Sequence, residues 1–179
     1  MTNVARIEDF FHRNVIDEYK SLSNEEIGRV IAEKSLPFAV LMEHWEQDFN
    51  IGTLLRNANA LGAREVFYVG TKQWDRRGAV GVQNYTKLRH LTSVHELQDR
   101  YNFVALEQTE GSVSLTKFVW PENPLIVIGS ESLGISAETL ALCPYRVVIE
   151  QRGSVRSMNA ASASTVAMYD FITKRESLL

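Results

Sequence analysis

One cysteine, Cys143, stands in a chain of 179 residues. A lone thiol excludes an internal disulfide and any multi-cysteine zinc site, so no metal is expected, and it suits the reducing conditions of the cytoplasm. Long hydrophobic runs are missing as well. No apolar stretch approaches the length of a membrane span, and the opening "MTNVARIEDFFHR" is charged throughout, without an apolar core of signal-peptide length. The dinucleotide fingerprint G-x-G-x-x-G and the phosphate loop G-x-x-x-x-G-K are both absent, which disfavours a dinucleotide or a nucleoside triphosphate as the natural ligand. An excess of positive charge is missing as well. The formal net charge is −3, which exerts no global pull toward nucleic acid. Repeats, low-complexity tracts and Pro/Gly/Ser linkers are missing too, so a second core is not expected.

What is present is the composition of a soluble globular chain, 45% hydrophobic and 23% charged. Up to Pro37 the chain reads as helix: Ile7, Phe10, Phe11 and Tyr19 recur at helical spacing, and "SNEE" offers a capping box between Ser23 and Glu26 ahead of Ile27, Val30 and Ile31. Residues 1–36 therefore read as a helical N-terminal extension to a domain spanning 37–179. From Phe38 the texture changes to short apolar runs alternating with helical ones, which predicts an α/β fold with a mostly parallel sheet covered by helices on both faces. The expected strands are "FAVLME", "EVFYVG", "KLRHLT", "FVALEQ", "LIVIG" and "RVVIE". Helices are expected near 50–62, 93–101, 136–142 and 157–175.

Three stretches carry more than scaffold. In "NIGTLLRNANALG", Ile51, Leu54, Leu55, Ala58, Leu61 and Gly62 form one helical face, and Arg56 lies opposite them. Gly52 and Asn59 flank Arg56 on one edge, leaving room for a ligand to approach the backbone, and Asn50 is placed as the N-cap. In "LIVIGSESLGIS" a buried strand ends in a loop with Gly129, Glu131 and Gly134, where ligands of open α/β sheets bind. In "RVVIEQRGSVRSMNAASAS" a strand and polar loop lead into a helix expected to begin at Ser157 and Asn159, whose free amides would face a polar ligand. Taken singly, the three also fit a capped amphipathic helix, a strand-to-helix turn and a core helix.

Together, and in this order, they resemble the SpoU/TrmH family of RNA ribose 2'-O-methyltransferases within the SPOUT superfamily, over roughly residues 38–175. The first motif is matched by Asn50, Gly52, Arg56, Ala58 and Gly62, the second by Gly129, Glu131 and Gly134, the third by Ser157, Met158 and Asn159. One departure is Glu150, which stands where the family usually has proline. The resemblance implies a C-terminal trefoil knot, a homodimer, and S-adenosylmethionine bound by Leu106, Gly129, Ile149, Ser157 and Met158. It implies catalytic roles for Arg56, Asn50, Glu131 and Asn159, with Arg56 serving a cofactor held by the other subunit. The substrate would be tRNA or rRNA, with neither DNA nor a membrane as partner.

The acidic net charge runs against RNA binding unless the basic residues are concentrated locally. Arg76, Arg77, Lys87 and Arg89, with Lys72 and His90 near them, and Arg152 and Arg156 around the third motif, are the candidates; Trp74 and Tyr85 lie among them. Acidic residues such as Glu8, Asp9, Asp17, Glu25 and Glu33 gather in the first 33 positions. Two other functions are weighed: a non-catalytic RNA- or partner-binding relative of the same fold, and a generic α/β nucleotide-binding protein. Retention of Arg56, Glu131 and Asn159 together favours the enzyme, and the missing phosphate loop disfavours the nucleotide binder.

Overall fold

The computed structural model describes residues 14–43, 48–70, 74–130 and 132–177. Among the described residues, seven strands form one parallel sheet: β1 (Leu36–Glu43), β2 (Ala63–Val69), β3 (Leu88–Leu91), β4 (Asn102–Leu106), β5 (Val113–Ser114), β6 (Pro124–Ile128) and β7 (Tyr145–Val148). Their order is β3-β2-β1-β6-β4-β7-β5. All six pairings are parallel. The last two long strands thus enter between earlier ones, β6 between β1 and β4, and β7 between β4 and β5.

The helices are α1 (Asn24–Glu33), α2 (Asp48–Ala60), α3 (Ala137–Ala141) and α4 (Ala160–Glu176). A parallel sheet must hide both faces, and β1 illustrates how the sequence achieves it. Phe38, Val40 and Met42 pack with Leu54, Leu55 and Ala58 of α2 and Met168 and Phe171 of α4. Ala39 and Leu41 point the other way, toward Leu97, Tyr101, Ile135 and Cys143. All five of these β1 side chains are fully buried.

The expected strands and the Ser23–Glu26 capping box are present, while several boundaries differ for local reasons. Strand β1 begins at Leu36 and includes Pro37, which is tolerated because the register shifts between Leu36 and Ala39. The helix expected over 93–101 is a single 3-10 turn, Val94–Leu97, capped by Ser93 and Glu96. Its apolar spacing comes from Val94, Leu97 and Tyr101 lying under the sheet. Strand β5 and the 3-10 turns Arg76–Ala79 and Val82–Asn84 have no counterpart among the expected elements. The N-terminal part of the extension lies outside the described residues; Tyr19 sits in a 3-10 turn, and Ile27 of α1 is fully buried.

Candidate active site

Helix α2 begins at Asp48, so Asn50 lies inside its first turn and is not the N-cap. Asn50 is 5% exposed. Its Oδ1 accepts a hydrogen bond from Asn159 Nδ2 at 3.1 Å. Arg56 projects from the opposite, exposed face of the same helix. The expected opening beside Arg56 is filled by protein. A Cβ on Gly52 would lie 2.8 Å from both Ala79 N and Asp75 O, and one on Gly78 would lie 2.8 Å from Phe49 O. The two glycines therefore let the 75–79 segment cross α2 in backbone contact. Asn59 donates to Thr86 Oγ1 at 3.0 Å, tying the far end of α2 to the same region.

The third motif is arranged differently from expectation. Helix α4 starts at Ala160, with Asn159 as N-cap accepting from Ser162 N–H at 3.2 Å, so Ser157 and Met158 belong to the loop ahead of it. The alanines and serines of its first turns allow close approach to α2, where Asn57 Nδ2 donates to Thr165 Oγ1 at 2.8 Å. Asn159 thus caps one helix with its oxygen and holds the other with its amide.

Gly129 and Gly134 fold the second motif onto itself. Ser130 and Gly134 exchange backbone hydrogen bonds of 3.0 and 3.1 Å. A Cβ on Gly129 would fall 2.0 Å from Gly134 C, and Gly134 itself has φ +68°. Both positions demand glycine, the first by contact and the second by conformation. Glu131 lies outside the described residues. Two other carboxylates, neither singled out from the sequence, grip residues 135–139 just beyond this loop. Glu43, at the end of β1 and 4% exposed, accepts from Ser136 N–H at 2.9 Å, Ser136 Oγ at 2.7 Å and Thr139 Oγ1 at 2.7 Å. Glu107 accepts from Ile135 N–H at 3.0 Å.

A cavity of about 500 Å³ opens beyond the carboxyl ends of β6, β4 and β7, three neighbours in the sheet. Leu106, Gly129, Ile149, Ser157, Met158 and Asn159 all line it, as do Glu107 and Arg156. Arg56 and Asn50 do not, although Asn50 reaches the wall through Asn159. Among the described lining residues Glu107 is the one carboxylate and Arg156 the one cation.

The remaining basic candidates stand on several elements. Arg76 and Arg77 sit in the turn crossing α2, where Arg77 Nε donates to Asp75 Oδ2 at 2.9 Å. Arg89, on β3, lies 3.6 Å from Glu65 and over the Phe67 ring. Lys87 precedes β3, and Arg152 stands 3.9 Å from Glu150. Trp74 and Tyr85 are partly buried against the core. Glu65 also receives the Tyr101 hydroxyl at 2.8 Å and the Arg100 guanidinium. Burial alone would raise the Glu65 carboxyl, but the Tyr101 hydroxyl and the Arg100 and Arg89 guanidiniums outweigh it and hold the group below the usual carboxylate range.

A parallel, two-faced α/β sheet with glycine loops at its strand ends and an open cavity beyond them defines a ligand-binding α/β domain. Residues 37–169 match the SpoU rRNA Methylase family, and the chain belongs to that family. It is 25% identical to the 23S rRNA (guanosine-2'-O-)-methyltransferase RlmB of Coxiella burnetii, the match covering 98% of this chain and 75% of that one. It is also 25% identical to the tRNA (guanosine(18)-2'-O)-methyltransferase of Escherichia coli (strain K12), over 84% of this chain and 69% of the relative. Among solved structures, the SpoU methyltransferase AviRb from Streptomyces viridochromogenes in complex with AdoMet superposes with a TM-score of 0.70 at 28% identity, covering 78% of this chain. The chain spans 58% of that AviRb chain. The A. aeolicus TrmH/SpoU tRNA modifying enzyme, at 18% identity and a TM-score of 0.75, has the same fold.

Proposed function

We propose that this protein transfers a methyl group from S-adenosylmethionine to a ribose 2'-hydroxyl of tRNA or rRNA, acting as a homodimer. The observation that carries the reading is the Asn50–Asn159 hydrogen bond, which joins the cavity wall to the helix bearing Arg56. The cavity fits the cofactor on its own terms. Its volume of about 500 Å³ lies within the usual range for small-molecule sites. Leu106, Ile128, Ile149 and Met158 offer apolar walls for a purine, the glycine loop offers backbone groups, and Glu107 and Arg156 offer one charge of each sign. We assign Leu106, Gly129, Ile149, Ser157 and Met158 to holding it.

When bound, the cofactor supplies an already activated methyl group, so the protein's task is alignment and charge stabilisation. The ribose 2'-hydroxyl is a poor nucleophile until its proton departs. Arg56 orients the ribose and, through its guanidinium donors, stabilises the negative charge developing on that oxygen. Asn50 and Asn159 fix α2 against the cavity, and we assign Glu131 a part in catalysis from its place in the second motif. Arg156, which lines the cavity, supplies phosphate contacts together with Arg76, Arg77, Lys87, Arg89 and Arg152.

Arg56 does not line the cavity of its own chain, which supports a site completed by the second subunit. Tyr169, 60% exposed, and Val166, 40% exposed, leave α4 with an apolar face suited to that contact. Insertion of β6 and β7 between earlier strands supports a C-terminal trefoil knot formed by the segments that line the cavity.

Calorimetric titration with S-adenosylmethionine, with ATP and NAD as controls, followed by transfer of labelled methyl groups to total tRNA and rRNA, tests the reading. Selective cofactor binding and label at ribose 2'-oxygens are expected. A folded protein that binds no cofactor, or that labels no RNA, defeats it.

A further inference from the structure

Resting on the methyltransferase reading, we propose that Glu107 is the residue that recognises the ribose diol of the cofactor, and so discriminates an adenosyl ligand from its deoxyribose counterparts. Glu107 follows β4 directly, so it stands at a strand's carboxyl end and lines the cavity. Its carboxylate is oriented before any ligand arrives. Gln108 N–H donates to Oε1 at 3.0 Å and Ile135 N–H donates to Oε2 at 3.0 Å, one backbone donor for each oxygen.

The opposing loop is shaped around this group. A Cβ on Gly134 would lie 2.4 Å from Glu107 Oε2, so glycine at 134 leaves the carboxylate its place as well as permitting the loop's φ of +68°. An ionised carboxylate accepts about four hydrogen bonds, and among the described residues only two of these are used. Each oxygen therefore keeps an acceptor position that no described residue uses, on a residue that lines the cavity. Two acceptors on a rigid, planar group match two adjacent hydroxyl donors, and an acidic residue accepts from a ribose hydroxyl in dinucleotide-binding α/β folds.

Glu107 is also the one carboxylate among the described lining residues. A competing use, attraction of the cofactor's sulfonium, predicts a different preference. A charge contact favours the sulfonium donor over its neutral thioether product; a diol contact treats the two alike.

The experiment is calorimetric titration of the full chain with S-adenosylmethionine, S-adenosylhomocysteine and the 2'-deoxy and 3'-deoxy forms of S-adenosylhomocysteine. Each missing hydroxyl is expected to weaken binding at least about tenfold, the scale of a hydrogen bond to a charged group. Glu107→Gln, its fold checked by circular dichroism, is expected to bind S-adenosylhomocysteine more weakly and to lose most of the discrimination. Equal binding of the deoxy ligands by the wild type overturns the proposal, as does discrimination that survives in E107Q. A large preference for S-adenosylmethionine that vanishes in E107Q, without sensitivity to the hydroxyls, replaces it with the sulfonium contact. Failure of all four ligands to bind the wild type defeats the methyltransferase reading itself. If E107Q does not fold, a structure of the wild type with S-adenosylhomocysteine decides: hydroxyls donating to Glu107 support the proposal, and hydroxyls donating elsewhere overturn it.

Discussion

The guanidinium of Arg56 and the carboxylate of Glu65 show how differently two charged residues of one domain are employed. Arg56 is exposed and does not line its own chain's cavity, so its removal should leave in place the residues assigned to holding the cofactor. Arg56→Ala is expected to bind S-adenosylmethionine with nearly wild-type affinity and to lose methyl transfer by about 10²–10³-fold, the scale of losing one preorganised charge-stabilising donor. Parallel loss of binding in calorimetry would make the residue structural. Glu65 is held by Tyr101, Arg100 and Arg89 below the usual carboxylate range. Its stabilising contribution is therefore complete above the unfolded carboxyl value of about 4.3 and is lost as pH falls through the lower folded value. Urea midpoints across the acid range should fall less steeply for Glu65→Gln than for wild type, and E65Q should be the less stable of the two near neutrality. Identical slopes would show that the cluster is not linked to folding.

Helix α2 is an element whose placement is only half legible in the sequence. Its buried face, Leu54, Leu55 and Ala58, can be read from spacing, because a helix over a sheet must show that period. Gly52 reads as an opening for a ligand and is not one, because the sequence gives no sign that the 75–79 segment returns to lie across it. Gly52→Ala is expected to destabilise the fold by about 1–3 kcal/mol, since the new methyl meets backbone on both sides and neither partner can rotate away. A thermal melt reads this directly; unchanged stability would mean the crossing relaxes freely. The same limit explains Glu43 and Glu107. In sequence, a carboxylate at a strand end looks solvated, and only the closed loop at 129–136 reveals the amides that it holds. The third motif's helix begins at Ala160 because Asn159 is the better cap: its side chain reaches both Ser162 N–H and Asn50, leaving Ser157 and Met158 to the cavity wall.

At the scale of the whole molecule, the cavity and Arg56 are separate features of one chain, and the proposed reaction needs them together. A second copy resolves this if the Arg56 of one subunit serves the cavity of the other. Complementation distinguishes that arrangement from a site built within one chain. Arg56→Ala removes the charge, while Ala163→Trp fills the cavity that Ala163 lines. Each variant alone is expected to be inactive. When the two are unfolded together and refolded in equal amounts, about half of the dimers pair one variant with the other, and each of those has one complete site, giving about one quarter of wild-type activity. A site contained within one chain gives none, because every chain then carries one lesion. Activity in the mixture therefore requires the dimer as the catalytic unit, and its absence, with both variants folded and dimeric, would place Arg56 beside its own chain's cofactor after a movement of α2.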